Sequence, residues 1–496
     1  MTGHHATSPP RSSHQSLSWT LFQAFSQITS RLMALVVLSW LLPPVVFGHY
    51  GVAMSAVIVL STLAQMGIPT NLICLEDVGP KSLVAALLAG FVASVTVTSA
   101  YLFLIFAMHD RIGGELSDVL VALAFYIPVQ VLLNTLEAFG RRLFAFKAIA
   151  ICDLAAATSG NLLLAVTLAY HGFGVWALVA GQTFGALVQV VGLLFACRDF
   201  LGWRTNIAEL RRIVSSSFSL TVAEAANIIT VYAQRPLVGA VLGAVAAGLW
   251  TRFYQIILLQ LTCLVQPIDK LVMPTLSRHR ASVDRATQTT LLTIEIVSLV
   301  TIPVSAITAG IAPFAIELAF GPAWAALVLP LQIASITLFI RGVDRILLSA
   351  ARAAGHVRSR AIVQVVQMVV VIGAVYWAAP HGLPVIAGAY VVSQSCGLAA
   401  MLVLFSRNSV IPLRRILERI LPGAVCGALA LGMIAGIEAM GKAPTSEYAM
   451  ISIWLALTVS SSSVAWITYR RCTSAGLQAH LNEFFRHLIP TGGPAA

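Results

Sequence analysis

Long apolar runs recur along this chain, separated by short polar or charged breaks. They fall near residues 19–41, 50–72, 82–108, 117–136, 146–170 and 173–196, then 215–240, 246–269, 289–312, 325–350, 361–379, 383–405, 420–440 and 448–469. A helix needs about 20 apolar residues to cross the hydrocarbon core of a bilayer. The pattern therefore predicts an all-α polytopic membrane protein with about fourteen transmembrane helices. The third, eighth and tenth runs are long enough to tilt or break. Two runs are not uniformly apolar. In the first, Gln23, Gln27, Ser30 and Arg31 recur at helical spacing and share one stripe. In the seventh, Glu224, Asn227, Gln234 and Arg235 do the same, with Thr230 alongside.

Composition agrees: of 496 residues, 58% are hydrophobic and only 10% charged, with a mean hydropathy of +0.89. A soluble domain carries roughly 25% charged residues. The net charge of +11 raises the question of a nucleic-acid partner, but its distribution answers otherwise. With the N-terminus cytoplasmic, 23 of the 30 Lys and Arg residues fall in inside loops and tails, and only Arg111 and Lys442 outside. That asymmetry is the positive-inside signal, and it places both termini in the cytoplasm. No nucleic-acid motif is present. The seven cysteines are scattered without a C-x-x-C pair, which points to small core residues rather than a disulfide or metal framework. No metal, cofactor or catalytic residue is expected. Met1–Ser18 is polar, and the run that follows is too long for a signal-peptide core, so a retained N-terminal tail is expected.

The halves of the chain resemble each other. At a shift of 200 residues Gln27 meets Asn227, Ser30 meets Thr230, Gly48 meets Gly248 and Tyr50 meets Trp250; at 210, His171-Gly172 meets His381-Gly382. Constant order and nearly constant offset suggest duplication of a six-helix unit. An even helix number makes the two copies parallel, the arrangement of transporters whose substrate path runs between the halves. The expected organisation is a tail at 1–18, an N-lobe at 19–197, a cytoplasmic linker at 198–214 and a C-lobe at 215–406. A basic loop at 407–419, two further helices at 420–469 and a tail at 470–496 complete it. The stretches 411–420 and 477–489 have the mixed apolar and basic pattern of interfacial helices, and equally of ordinary positive-inside loops.

Five basic residues remain inside predicted spans: Arg31, Arg235, Arg252, Arg341 and Arg345. A charged residue at mid-membrane costs about 2.5–3.5 kcal/mol on insertion scales and normally faces protein or a water-filled cavity. One reading is a ladder of cations along a cavity, with Gln23, Gln27, Ser30, Asn227 and Thr230 on the same stripes and Glu224 balancing charge or serving in ion coupling. The other is structural. Arg235 and Arg252 sit near helix ends and are able to snorkel, and Asp344 is placed to pair with Arg341.

Several stretches carry a family resemblance: LSWLLPPVVFGHYGV at 38–52, EAFGRRLFAFKAI at 137–149, GFGVWALVAGQ at 172–182, LVGAVLGAVAAGLW at 237–250, FGPAWAALVLPLQI at 320–333 and SAARAAGHVRSRA at 349–361. On these the chain resembles the polysaccharide transporter (PST, Wzx-like) flippases of the multidrug/oligosaccharidyl-lipid/polysaccharide (MOP) exporter superfamily. The resemblance implies two parallel six-helix lobes around a central cavity, plus the two C-terminal helices. It also implies a lipid-linked oligosaccharide on polyprenyl pyrophosphate as substrate, moved across a bacterial inner membrane by alternating access for exopolysaccharide or lipopolysaccharide (O-antigen or capsule) synthesis. Membrane lipids, the polysaccharide polymerase and the export machinery are the implied partners. There are departures: the turn 43–48 lacks an acidic residue often found before Phe-Gly, Gln234-Arg235 stands where the family often has an acid, and Trp250 replaces a common Tyr. Together these changes make the path more basic.

Arginines match phosphate oxygens bidentately and keep their charge at any working pH. The rival readings are a cation-coupled drug antiporter of the same superfamily, whose cavity should be acidic, and a membrane glycosyltransferase or polymerase. The second needs a large external loop or a carboxylate pair, and the short outside turns leave no room for the loop. If Arg31 lies on the path, Arg31→Ala abolishes polymer export while the protein stays inserted and abundant, and Arg31→Lys restores part of it. Export assays alongside immunoblots of the membrane fraction check this.

Overall fold

The computed structural model describes residues 29–30, 32–74, 80–111, 113–143, 145–198, 211, 225–269, 283–353, 357–408 and 413–439. Among these residues there is no strand, and the protein is an all-α polytopic membrane protein. Nine described helices are long and apolar enough to cross a membrane, or ten if one bent pair counts as a span. Described helices lie on every expected segment except 448–469, which falls outside the described residues, as do both tails.

The first half contains α1 (Leu32–Leu41), α2 (Pro44–Gln65), α3 (Ile68–Cys74), α4 (Pro80–Ala107), α5 (Gly114–Ala124) and α6 (Tyr126–Arg142). It continues with α7 (Phe146–Ala156), a π-helical stretch at Ala157–Leu164, α8 (Ala165–Tyr170) and α9 (Val175–Ala196). In the second half, α10 (residues 225–232), α11 (Gln234–Leu242) and α12 (Ala244–Leu264) precede the 38-residue α13 (Val283–Phe320). After a 3-10 turn at Pro322–Leu327 come α14 (Val328–Ala334), α15 (Thr337–Ala353), α16 (Val357–Ala378), α17 (Leu383–Asn408) and α18 (Leu413–Ala439).

The breaks follow local chemistry. Helix α2 starts at the Pro43-Pro44 pair, where a fixed φ suits the first helical position and a missing N–H costs nothing. It stops at Met66 and Gly67, both left-handed (φ 50 and 69°). The tenth run breaks at residues 335–336, between α14 and α15, as its length suggested, whereas the third forms one unbroken helix of 28 residues. From Leu413 the chain runs through Pro422 as one helix, α18, so the described part of the stretch 411–420 is neither the basic loop expected at 407–419 nor a helix separate from the span that follows. Gly172 and Gly382, paired by the repeat, both turn with positive φ (81 and 93°). Large apolar side chains stay exposed along the spans, for example Phe106 at 84% and Val191 at 65%, because their solvent is lipid. Buried hydroxyls such as Ser55, Thr135 and Ser305 donate to the carbonyl four residues back.

The chain forms two compact units. One contains residues 1–259, 312–334 and 357–397, the other 260–311, 335–356 and 398–496. The first unit therefore takes the whole first half of the sequence and parts of the second, while the other is drawn from the second half alone. In the second unit α18 lies against α13, with Gly423 and Gly427 facing Ser298 and Ile302 and Arg419 Nη1 2.6 Å from Glu295 Oε2.

In the first unit α2 crosses α12 at a glycine contact. A Cβ on Gly48 would lie 1.9 Å from the Ala244 carbonyl oxygen, and one on Gly248 would lie 1.8 Å from the Pro44 oxygen. The pairs 44/244 and 48/248 are related by the 200-residue repeat, so the crossing is a local two-fold built from equivalent positions. Nearby, Gly51 faces its own repeat partner, Thr251. Small residues let backbones approach where no hydrophobic force drives helices together in lipid. Gly48→Ala and Gly248→Ala should therefore each lower the thermal stability of the detergent-solubilised protein by about 1–3 kcal/mol or more. Gly373→Ala, where an added Cβ meets nothing within 4 Å, should be neutral; melting curves of the three variants decide.

Candidate functional site

The crossing carries two arginines into the interior. Pro236 has no N–H to donate toward Tyr232, so the helix resets between α10 and α11 and Arg235 becomes the second residue of α11. Gly243, with φ 85°, then reverses the chain in one residue into α12, which carries Arg252. Both guanidinium groups are buried: Arg235 is 6% exposed and Arg252 4%. Neither snorkels, so the helix-end escape open to them from the sequence is not taken.

Aromatic faces surround both. The Arg252 guanidinium lies 3.8 Å from the centroid of Phe47 and 5.8 Å from that of Trp324, while its Nη1 donates to Gln255 Oε1 at 2.8 Å. Trp324 is held in place by its indole N–H, which donates to the Ser39 carbonyl at 3.2 Å. Arg235 lies 4.6 Å from the Tyr232 ring and 5.8 Å from that of Tyr254, with Nη1 at 3.5 Å from Ser55 Oγ. Trp250, Phe253 and Tyr254 pack beside them against Tyr390.

These contacts do not complete the hydrogen bonding. Arg235 Nε, Arg252 Nε and Nη2, Trp250 Nε1 and Gln234 Oε1 are buried without a partner. Among the described residues neither arginine forms an ion pair with a carboxylate. A desolvated cation–π contact returns about 2 kcal/mol, against a burial cost of several kcal/mol per ion. The arrangement is a pair of cations with spare donors, suited to an anion with several oxygens.

Of the other expected residues, Thr230 donates its hydroxyl to the Ala226 carbonyl at 2.7 Å, and exposed Asn227 accepts from Gln364 Nε2 at 3.4 Å. Ser30 lines a different cavity in the same unit, against α6, α7 and α9. Arg341 and Arg345 belong to the second unit, where Arg345 Nε meets Asp269 Oδ2 at 3.0 Å and Ser349 donates to the same carboxylate. Gln23, Gln27, Arg31 and Glu224 lie outside the described residues. The sequence reading missed the aromatic residues Phe47, Tyr232, Tyr254 and Trp324, which come from three parts of the chain. It also missed the stripe Tyr126, Gln130, Asn134, Glu137 and Arg141, whose spacing of four, four, three and four residues is visible in the sequence.

The sequence pattern of a family described as "Polysaccharide biosynthesis protein" matches residues 37–329, which include α2, α11, α12 and Trp324. The chain belongs to that family. It is 20% identical over 312 residues to the succinoglycan biosynthesis transport protein ExoT of Rhizobium meliloti (strain 1021), an alignment covering 63% of either chain. Among solved structures, the lipid II flippase MurJ in an inward closed conformation superposes with a TM-score of 0.72 at 11% identity, over 92% of this chain and 99% of MurJ. An inward-facing multidrug resistance MATE transporter of the MOP superfamily gives 0.62 at 14% identity, over 79% and 95%. A MOP superfamily transporter from Pyrococcus furiosus Vc1, whose structure is titled for the reverse polarity of its binding pocket, gives 0.56 at 15%, over 79% and 94%. The fold of this polysaccharide biosynthesis family member is thus the MOP transporter fold.

Replacing a buried cation that has no carboxylate partner with an apolar side chain of similar length removes a desolvation cost. Arg252→Met and Arg235→Met should leave the melting temperature unchanged or raised while polymer export falls at least tenfold; Arg252→Lys should keep part of the export. Melting curves paired with export assays test this, and a parallel loss of stability and export would make both residues structural.

Proposed function

We propose that this protein is a flippase. It carries polyprenyl-pyrophosphate-linked oligosaccharide repeat units from the cytoplasmic to the periplasmic leaflet of a bacterial inner membrane, for exopolysaccharide or lipopolysaccharide synthesis. The observation that carries the proposal is the pair of buried, aromatic-lined arginines with unsatisfied N–H donors. A pyrophosphate supplies the missing acceptors, and guanidinium forks match its oxygens bidentately. Membership of the polysaccharide biosynthesis family, likeness to a relative named for succinoglycan transport and a fold shared with a lipid II flippase all support the reading. The charge asymmetry of the sequence, on which the termini and most basic loops are expected in the cytoplasm, fits the same reading.

On this reading Arg235 and Arg252 hold the pyrophosphate in one state of an alternating-access cycle, and Arg31 serves the same path. The lipid tail stays in the bilayer while the sugars cross in a polar interior. The aromatic cage is already filled by the protein's own cations, so it leaves no place for a cationic drug. Deleting the gene should make lipid-linked oligosaccharide accumulate on the cytoplasmic leaflet and should stop polymer export. Wild type should restore export, and the Arg235→Ala/Arg252→Ala double variant should not. Mass spectrometry of extracted lipids from each strain is the measurement; unchanged lipid-linked oligosaccharide in the deletion strain would overturn the proposal.

A further inference from the structure

A second polar site lies inside the first unit, away from any arginine cage. One face of α6 presents Tyr126, Gln130, Asn134 and Glu137 toward Gln182 and Gln189 of α9 and Asp153 of α7, around a cavity of about 280 Å³. The space exists because the facing residues are small. Gly185 and Ala186 of α9 line it, as do Ala156 and Ala157 at the start of the π-helical stretch. That stretch lies against α9 through Gly160, where a Cβ would come within 2.4 Å of the Gly181 oxygen. π-Helical insertions inside α-helices cluster at functional sites, and here the wide turn forms part of the cavity wall.

The hydrogen bonding around the cavity is orderly. Gln182 Nε2 donates to the Tyr126 hydroxyl at 2.8 Å, the hydroxyl donates to Gln130 Oε1 at 2.6 Å, and Gln130 Nε2 donates to Asn134 Oδ1 at 3.0 Å. At the other end Gln189 Nε2 donates to Glu137 Oε1 at 2.9 Å and also to Asp153 Oδ1, and Arg141 Nη2 donates to Glu137 Oε2 at 2.7 Å. Each amide has two donors and two acceptor lone pairs, and each carboxylate several acceptor sites, so the walls keep capacity of both kinds for an occupant.

Size and charge select the occupant. The cavity far exceeds the roughly 30 Å³ of a single water and approaches the ~300 Å³ at the small end of ligand pockets, so an ion alone would leave it mostly empty. Among the described lining residues there are two carboxylates and no Lys, Arg or His, and Arg141 beside the cavity meets one of them, Glu137; two carboxylates against one guanidinium still disfavour a phosphate or other anion. A neutral polyhydroxyl group fits on both counts. Its hydroxyls donate to carboxylates and exchange hydrogen bonds with amides.

We propose that this cavity is a sugar subsite that takes one neutral hexose unit of the substrate head group and disfavours acidic sugars. The inference rests on the flippase reading and deepens it: the arginines hold the pyrophosphate, and the α6–α7–α9 cavity reads a sugar.

The test is binding to the full chain in lipid nanodiscs, by native mass spectrometry. The probes are bare undecaprenyl pyrophosphate and the same lipid carrying a single glucose, galactose, mannose or glucuronic acid. Wild type should bind at least one hexose-bearing lipid about tenfold more tightly than the bare lipid, and the glucuronate-bearing lipid no better than the bare one. Asn134→Ala and Gln182→Ala should bind bare lipid normally and lose the hexose preference. Asp153→Asn should relax the discrimination against glucuronate, and it carries the test if the alanine variants fail to fold. Equal wild-type affinity for bare lipid and all three hexose lipids overturns the sugar subsite and leaves the flippase reading standing. Failure of wild type to bind any of the lipids overturns the flippase reading, and the subsite with it. Variants that fold and keep full preference and discrimination overturn the subsite alone.

Discussion

The closest constraint in the first unit is the crossing of α2 over α12 at Gly48 and Gly248. Carbonyl oxygens of Pro44 and Ala244 occupy the places where side chains would begin, so no residue with a Cβ fits without separating the helices. That contact sets what stands opposite what. It brings Phe47 under Arg252, Ser55 beside Arg235 and Gly51 against Thr251. In a bilayer, where apolar association gives little net gain, such close backbone approach is itself the source of packing energy. Because the contacting positions are repeat equivalents, one ancestral surface satisfies both sides of the crossing.

The arginine cage shows why stability alone does not account for this sequence. Aromatic faces and one or two hydrogen bonds offset part of the cost of burying Arg235 and Arg252, yet several N–H groups remain unpartnered. Elsewhere the same fold solves the problem conventionally: Arg345 is joined to Asp269, and Arg419 to Glu295. The contrast between paired and unpaired cations within one chain separates structural arginines from those with capacity left for an anion.

The two polar sites of the first unit are complementary in chemistry. One gathers guanidinium groups and aromatic rings from α2, α11, α12 and the 3-10 turn. The other gathers carboxylates and amides from α6, α7 and α9, around space opened by glycine, alanine and a π-helical turn. A pyrophosphate-linked sugar carries the matching pair of groups, anionic at one end and polyhydroxylic at the other.

The membrane class, the helical segments within the described residues and the repeat are all readable from residue order, because bilayer thickness fixes span length and the repeat offset survives in the glycines. His171-Gly172 and His381-Gly382 turn alike, and Gly48 and Gly248 meet as partners. The polar stripe on α6 was legible too, through its helical period, but nothing in one helix said what faced it. Tertiary structure alone decided that Arg235 and Arg252 are buried rather than snorkelling, since their cages are built from residues such as Trp324, 72 positions beyond Arg252. It also decided that Arg345 is a paired cation, because Asp269 reaches it from another helical stretch. Helical periodicity reports which face a side chain is on; only packing reports whether that face meets lipid, a partner charge or an unfilled site.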